Sequence, residues 1–133
     1  MTDATITGDE VLGLVLPTVP AAVDLDDPGE LPYVDAGEVA RAVVELAGAG
    51  RLDELGAFFD VVERLHVEGD RHVAELATVG YLEALQNLAG PRGLDPEVFW
   101  PLLGPESRRW WRGLDAFWAG GSPGGVRPVD EAR

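Results

Sequence analysis

An all-α fold is predicted by three features of this 133-residue sequence. Apolar residues recur at steps of three and four, no segment alternates in the manner of a strand, and glycine or proline stands where each helix should stop. The strongest periodicity runs over 52–89, which reads as an αα-hairpin turning at Gly69-Asp70. In its first arm Leu52, Leu55, Phe59, Val62 and Leu65 draw one apolar stripe, and Phe58-Phe59 followed by Val61-Val62 breaks any period of two. Gly69 suits a left-handed helix stop, and Asp70 suits the N-cap of the second arm. That arm carries Val73, Leu76, Ala77, Gly80 and Ala84 on one face, widened by Tyr81, Leu82, Leu85 and Leu88. A helix apolar over so much of its circumference is central, and Gly80 with Ala84 allows another helix to approach closely.

The remaining elements follow from local signals. Asp9 to Leu16 forms a short apolar helix ended by Pro17 and Pro20. Residues 17–34 are a proline-rich, acidic connector with no stable period. Asp35 is the expected N-cap of a helix over Ala36–Ala49, with Glu38 in the capping-box position. Asp95-Pro96 opens a short helix, and Pro105 opens a final one in which Trp111, Leu114 and Trp118 are spaced to bury together. The expected architecture is thus a compact bundle of four main helices plus one or two short ones, a single domain over 1–119. Residues 120–133 form a tail with too little apolar surface to stay ordered.

Composition narrows the function classes. Without cysteine there are no disulfides or thiolate metal sites. No apolar run is long enough to span a membrane, and the N-terminus carries acids where a signal peptide needs a basic start, so a cytoplasmic location is expected. The net charge is −14, and it is unevenly spread. Before Arg41 there are Asp3, Asp9, Glu10, Asp24, Asp26, Asp27, Glu30, Asp35 and Glu38 with no cation, whereas from Arg92 onward six acids meet six arginines. Solubility alone accounts for the charge of many acidic proteins, but such a field also repels nucleic acid and anionic membranes and steers a basic partner.

No catalytic signature stands out. The spacing Glu63-x-x-His66 is that of carboxylate-bridged di-iron bundles, but the second such pair those sites need is missing, and local hydrogen bonding is the better account. Glu83, on the most apolar helix, is expected to pair with an arginine of the final helix. Asp24, Asp26, Asp27 and Glu30 suggest a calcium loop until their spacing is checked, since the required glycine and closing glutamate are misplaced. Arginines among the four tryptophans could stack on single-stranded nucleic acid, but the charge balance argues for core packing and leaves Trp110 as an interface candidate. No catalytic residue, metal or cofactor is expected.

Three blocks carry a family resemblance: FFDVVERLHVEGD (Phe58–Asp70), VGYLEALQN (Val79–Asn87) and LLGPESRRWWRGLDAFW (Leu102–Trp118). They resemble small all-α bacterial proteins of unassigned function that are similar to immunity proteins of polymorphic and contact-dependent toxin systems. The resemblance implies a non-enzymatic protein that neutralises a toxin by direct binding. It transfers no functional residue, because the matching blocks look like core and caps. Charge independently favours a basic toxin domain as partner, captured through Asp24, Asp26, Asp27, Glu30, Asp35 and Glu38, with Trp110 as a further contact. Two other classes remain open: an adaptor or assembly subunit using the tryptophan-rich helix, and a metal-dependent helical enzyme using Glu63, His66 and Glu83.

Overall fold

The computed structural model describes residues 5–120 and 125–130. It is all-α. A short helix α1 (Val11–Val15), flanked by 3-10 turns at Gly8–Glu10 and Leu16–Thr18, leads through the connector to α2 (Pro32–Gly48). Then come a 3-10 turn at Leu52–Glu54 and α3 (Gly56–Glu68). A continuous rod over 71–89 follows, made of α4 (Arg71–Glu75), a π-helix (Leu76–Leu82) and α5 (Glu83–Ala89). Two 3-10 segments, Gly90–Arg92 and Pro96–Leu102, deliver the chain to α6 (Pro105–Trp118). No helix among the described residues is long and apolar enough to cross a membrane.

The rod is the centre of the fold, as its broad apolar surface requires. It packs on α2 along its π-helix and α5, while α3 and α6 also pack against it. At Gly80 an added Cβ would lie 3.2 Å from the Ala36 Cβ of α2 and 2.7 Å from the Leu76 Cδ1, so the small residue does set the helix–helix approach. Between these layers Phe58, Phe59, Tyr81, Phe99 and Trp111 are essentially fully buried. Their rings touch in sequence: Phe58 meets Tyr81 and Phe59 at 6.2 and 5.0 Å, Phe59 meets Phe99 at 5.5 Å, and Phe99 meets Trp111 edge-on at 6.5 Å.

The π-helix was not foreseen. Across it only Val79 reaches solvent, while Leu76, Ala77, Thr78, Gly80, Tyr81 and Leu82 are buried. Here the Glu83 N–H bonds back five residues, to the Thr78 carbonyl. Along this wider turn the rod meets α2, α3 and α6.

Several sequence expectations are corrected. Helix α2 begins at Pro32, four residues before the Ala36 expected, because proline at the first helical position needs no hydrogen-bond partner and has its φ already set. Asp35 therefore sits inside the first turn and is not an N-cap. Gly69 ends α3 at φ −74°, ψ 155°, which is extended and not left-handed. Its lack of a side chain matters for space: an added Cβ would clash with the Leu65 carbonyl and the Val73 side chain. The turn is also clamped by the N-terminal segment, where the Ile6 N–H donates to the Glu68 carbonyl and the Asp70 N–H to the Ile6 carbonyl, both at 2.9 Å. Asp70 does cap α4, accepting the Val73 N–H at 2.9 Å. Trp118 does not bury with Trp111 and Leu114, being 57 % exposed.

The C-terminal segment departs from the expected free tail over residues 125–130. The Val129 N–H donates to the Arg109 carbonyl at 2.9 Å, and Asp130 pairs with Arg109 at 2.9 Å. The segment comes so close to α6 that a Cβ at Gly113 would clash with the Arg127 carbonyl.

Candidate functional site

Four of the six acidic residues singled out in the sequence, Asp24, Asp26, Asp27 and Glu30, are exposed on the connector. The connector folds back on itself at Asp27 (φ 47°) and Gly29 (φ 92°), left-handed conformations that aspartate tolerates and glycine adopts freely. The Glu30 N–H then bonds to the Asp27 carbonyl at 3.0 Å. This turn leaves Asp24, Asp26, Asp27 and Glu30 exposed. Next to them lies a group that sequence reasoning missed: Leu31, Tyr33 and Val34 are 63, 47 and 55 % exposed. The missed signal was Pro32, which starts the helix early and so places Tyr33 and Val34 on its first turn, ahead of its buried stripe, with Leu31 at its N-cap.

The other predicted interface residues are not all brought there. Asp35 is not an exposed contact: it is 2 % exposed, and its Oδ2 accepts the Gly29 N–H at 2.8 Å. It holds the connector turn against α2 from inside. Glu38 lies half-buried one turn further on, paired with Arg41 at 2.8 Å. Trp110 lies elsewhere. It lines a separate groove of about 500 Å³ with Ala74, Thr78, Val79 and Val126, and its Nε1 donates to Glu106 at 3.2 Å.

A second constellation is polar and internal. Glu63 reaches from α3 to the start of α6, where its carboxylate accepts the Glu106 N–H at 3.0 Å and both the N–H and the hydroxyl of Ser107 at 2.9 Å. It thereby satisfies helix-end amides and places negative charge at the positive end of α6. Gly104 is required beside it, since a Cβ there would lie 2.5 Å from the Glu63 Cδ. The run Gly104-Pro105-Glu106-Ser107 is thus a receptacle for one carboxylate.

The chain of bonds continues through His66. Its Nδ1 lies 3.1 Å from both the Ser107 Oγ and the Val62 carbonyl, and its Nε2 lies 2.9 Å from the Thr78 Oγ1. Because the Ser107 hydroxyl is donated to Glu63 and the Val62 carbonyl can only accept, Nδ1 must carry the hydrogen. Nε2 then accepts from Thr78. Burial of the imidazole outweighs the attraction of Glu63 and Glu106 and pushes its pKa down to about 4. The ring is neutral at pH 7, and charging it costs stability.

Because the folded pKa lies below the ordinary 6.5, the unfolded chain binds the extra proton first. The His66 contribution is fully present above pH 6.5 and is lost as pH falls from there toward 4. Unfolding by urea should therefore lose roughly 2 kcal/mol between pH 7 and pH 5. In His66→Gln that slope should be largely gone. An unchanged slope in the variant would show that another group titrates.

This network resembles a catalytic triad in composition only. Glutamate bonds serine instead of histidine, and Ser107 is fully buried, so no substrate carbonyl could reach it. Both histidine nitrogens and the Glu63 carboxylate are already engaged, and no cluster of three or more metal-ligating side chains exists among the described residues. Glu83 corrects a further expectation: among the described residues no cation pairs with it, and partial burial alone raises its pKa. The arginines of α6 serve other partners. Arg112 stacks on Trp100 at 4.0 Å from the ring centroid and pairs with Glu97 and Asp115 at 2.8 Å, while Arg108 covers Trp100 at 4.8 Å. The arginine–tryptophan interleaving is an internal clasp between 96–102 and α6.

Fold and surface together define a small all-α domain with an acidic exposed face and an internally committed polar network. The chain belongs to the family described as "Domain of unknown function (DUF7674)", whose model matches residues 14–119. No curated protein and no solved structure matches the chain.

Proposed function

We propose that this domain is a non-enzymatic binding protein that captures a basic protein partner, and that it acts as an immunity protein neutralising a bacterial toxin. One observation carries the binding part: Leu31, Tyr33 and Val34 stand exposed on a segment that also displays Asp24, Asp26, Asp27 and Glu30 and contains no cation. An apolar centre flanked by charges of one sign has the makeup of an interface for a partner of opposite charge. The apolar residues supply contact area, and the acids raise the rate of encounter. The toxin as partner is supported by the likeness of the α3, rod and α6 blocks to immunity proteins.

The test is a pull-down from lysate of the source strain at low and high salt, followed by association kinetics with the partner recovered. Asp24→Asn/Asp26→Asn/Asp27→Asn should slow association by about tenfold at low salt while leaving Tm unchanged, because these acids are exposed. A partner captured equally well by this variant, or one that is itself acidic, would sink the reading.

A second reading is favoured by a different surface. Trp118 is exposed at the end of α6, and Trp110 lines the 500 Å³ groove, so α6 could instead join a second copy of the chain in an assembly. That association would survive high salt, since hydrophobic contacts are not screened.

A further inference from the structure

We infer that a small slot beneath the acidic face, built around Asp35 and Tyr81, receives the ammonium group of a lysine from the partner; this rests on the reading that the face binds a basic protein.

The slot lies where four segments meet. It is lined by Gly8, Val11 and Leu12 from the first turns, Gly29 and Pro32 from the connector and α2, and Leu76 of the rod, with Asp35 and Tyr81 as its polar groups. Asp35 is almost completely buried, yet its only hydrogen bond from a described residue is the Gly29 N–H on Oδ2. Its second oxygen and the Tyr81 hydroxyl have no protein partner among the described residues, although neither is sealed from solvent. A carboxylate and a phenol that line one recess with hydrogen-bonding capacity to spare suit a polar guest that replaces water there.

Size and charge select the guest. The cavity has a volume of about 20 Å³, room for one water-sized group. A lysine ammonium is a compact charge with three donors on a slender stem, whereas the planar arginine fork is much larger. The apolar walls of Val11, Leu12 and Leu76 suit the methylene stem. The lining segments add Asp9, Glu10 and Glu30 and no cation, so the local field favours a positive guest over water. A desolvated carboxylate at the edge of an exposed apolar patch is also where interfaces concentrate their binding energy.

The experiment uses the full chain and needs no partner: n-butylammonium is titrated at constant ionic strength while the Gly29 amide and the Leu12 and Leu76 methyl resonances are followed by NMR. The expected result is a saturable shift of all three, at least ~10-fold weaker with n-butylguanidinium. Asp35→Asn should abolish saturation while keeping an acceptor for the Gly29 N–H. Tyr81→Phe, which removes only the hydroxyl, should weaken it several-fold and serves if the first variant does not fold. Shifts that stay linear with concentration would mean the slot holds only water. An equal response to the guanidinium probe would overturn the assignment as well. With the partner in hand, capture by Asp35→Asn at the wild-type level would exclude the slot as its anchor without touching the proposed function. Amine binding with no basic partner would instead sink the function and leave the slot.

Discussion

Glu63→Ala should lower stability by about 3 kcal/mol, equivalent to a fall in Tm of roughly 10 °C for a domain of this size. The loss exceeds that of an ordinary surface carboxylate because three donors converge on this one: the Glu106 and Ser107 amides and the Ser107 hydroxyl. The amides are the first-turn donors of α6, which have no partner within their own helix. Removing the acceptor also strands Ser107, which is fully buried, and upsets the donor order that fixes the His66 tautomer. Glu63→Gln keeps one acceptor oxygen but turns an NH2 group toward a donor, so it should fall between the wild type and the alanine variant. Denaturant titration at pH 7 measures both. An alanine variant within about 0.5 kcal/mol of wild type would show that water replaces the carboxylate at little cost.

The largest single loss is expected at Trp111. Its side chain is fully buried against Phe99, and its Nε1 donates to Glu97 at 2.9 Å, the carboxylate that Arg112 also holds. Trp111→Ala should cost about 4 kcal/mol through lost transfer energy and an unfilled cavity. That is a large fraction of the total stability of any such domain, so partial unfolding at ambient temperature is the expected phenotype. Trp118→Ala, in the same helix but more than half exposed, should stay within about 0.5 kcal/mol of wild type. Near-equal losses in the two variants would contradict the burial that separates them. The pair also bears on the assembly reading, since only Trp118 is accessible enough to act between copies.

The two tryptophans also mark how far the sequence can be read. Helical spacing places Trp111, Leu114 and Trp118 on one stripe, and it correctly buries the first two. It cannot tell that the layer ends before Trp118, because where a neighbour stops is not encoded in the helix itself. The same holds for Glu63 and His66. Their spacing raised a metal site and a local hydrogen bond as alternatives, and His66 does bond to Val62 within its own helix. The partners that commit the pair, Ser107 and Thr78, lie 44 and 12 residues away in sequence. Asp35 shows the cost of trusting a local rule. A favourable cap residue was overridden by a proline three positions earlier, and the carboxylate turned inward.

By itself the sequence determined the helical class, the central rod, the N-caps at Asp70 and Asp95, the proline starts at Pro96 and Pro105, and the concentration of acid before Arg41. These depend on residues within a turn or two of one another, or on composition, and such short-range terms act before any tertiary contact forms. Only the tertiary structure decided the π-helix, the Glu63 receptacle at the start of α6, the docking of 125–130, and the Asp35–Tyr81 slot. Each of these depends on which groups from distant segments meet in a volume that excludes water, and there an unpaired donor or an overlapping atom costs more than any local preference can offset.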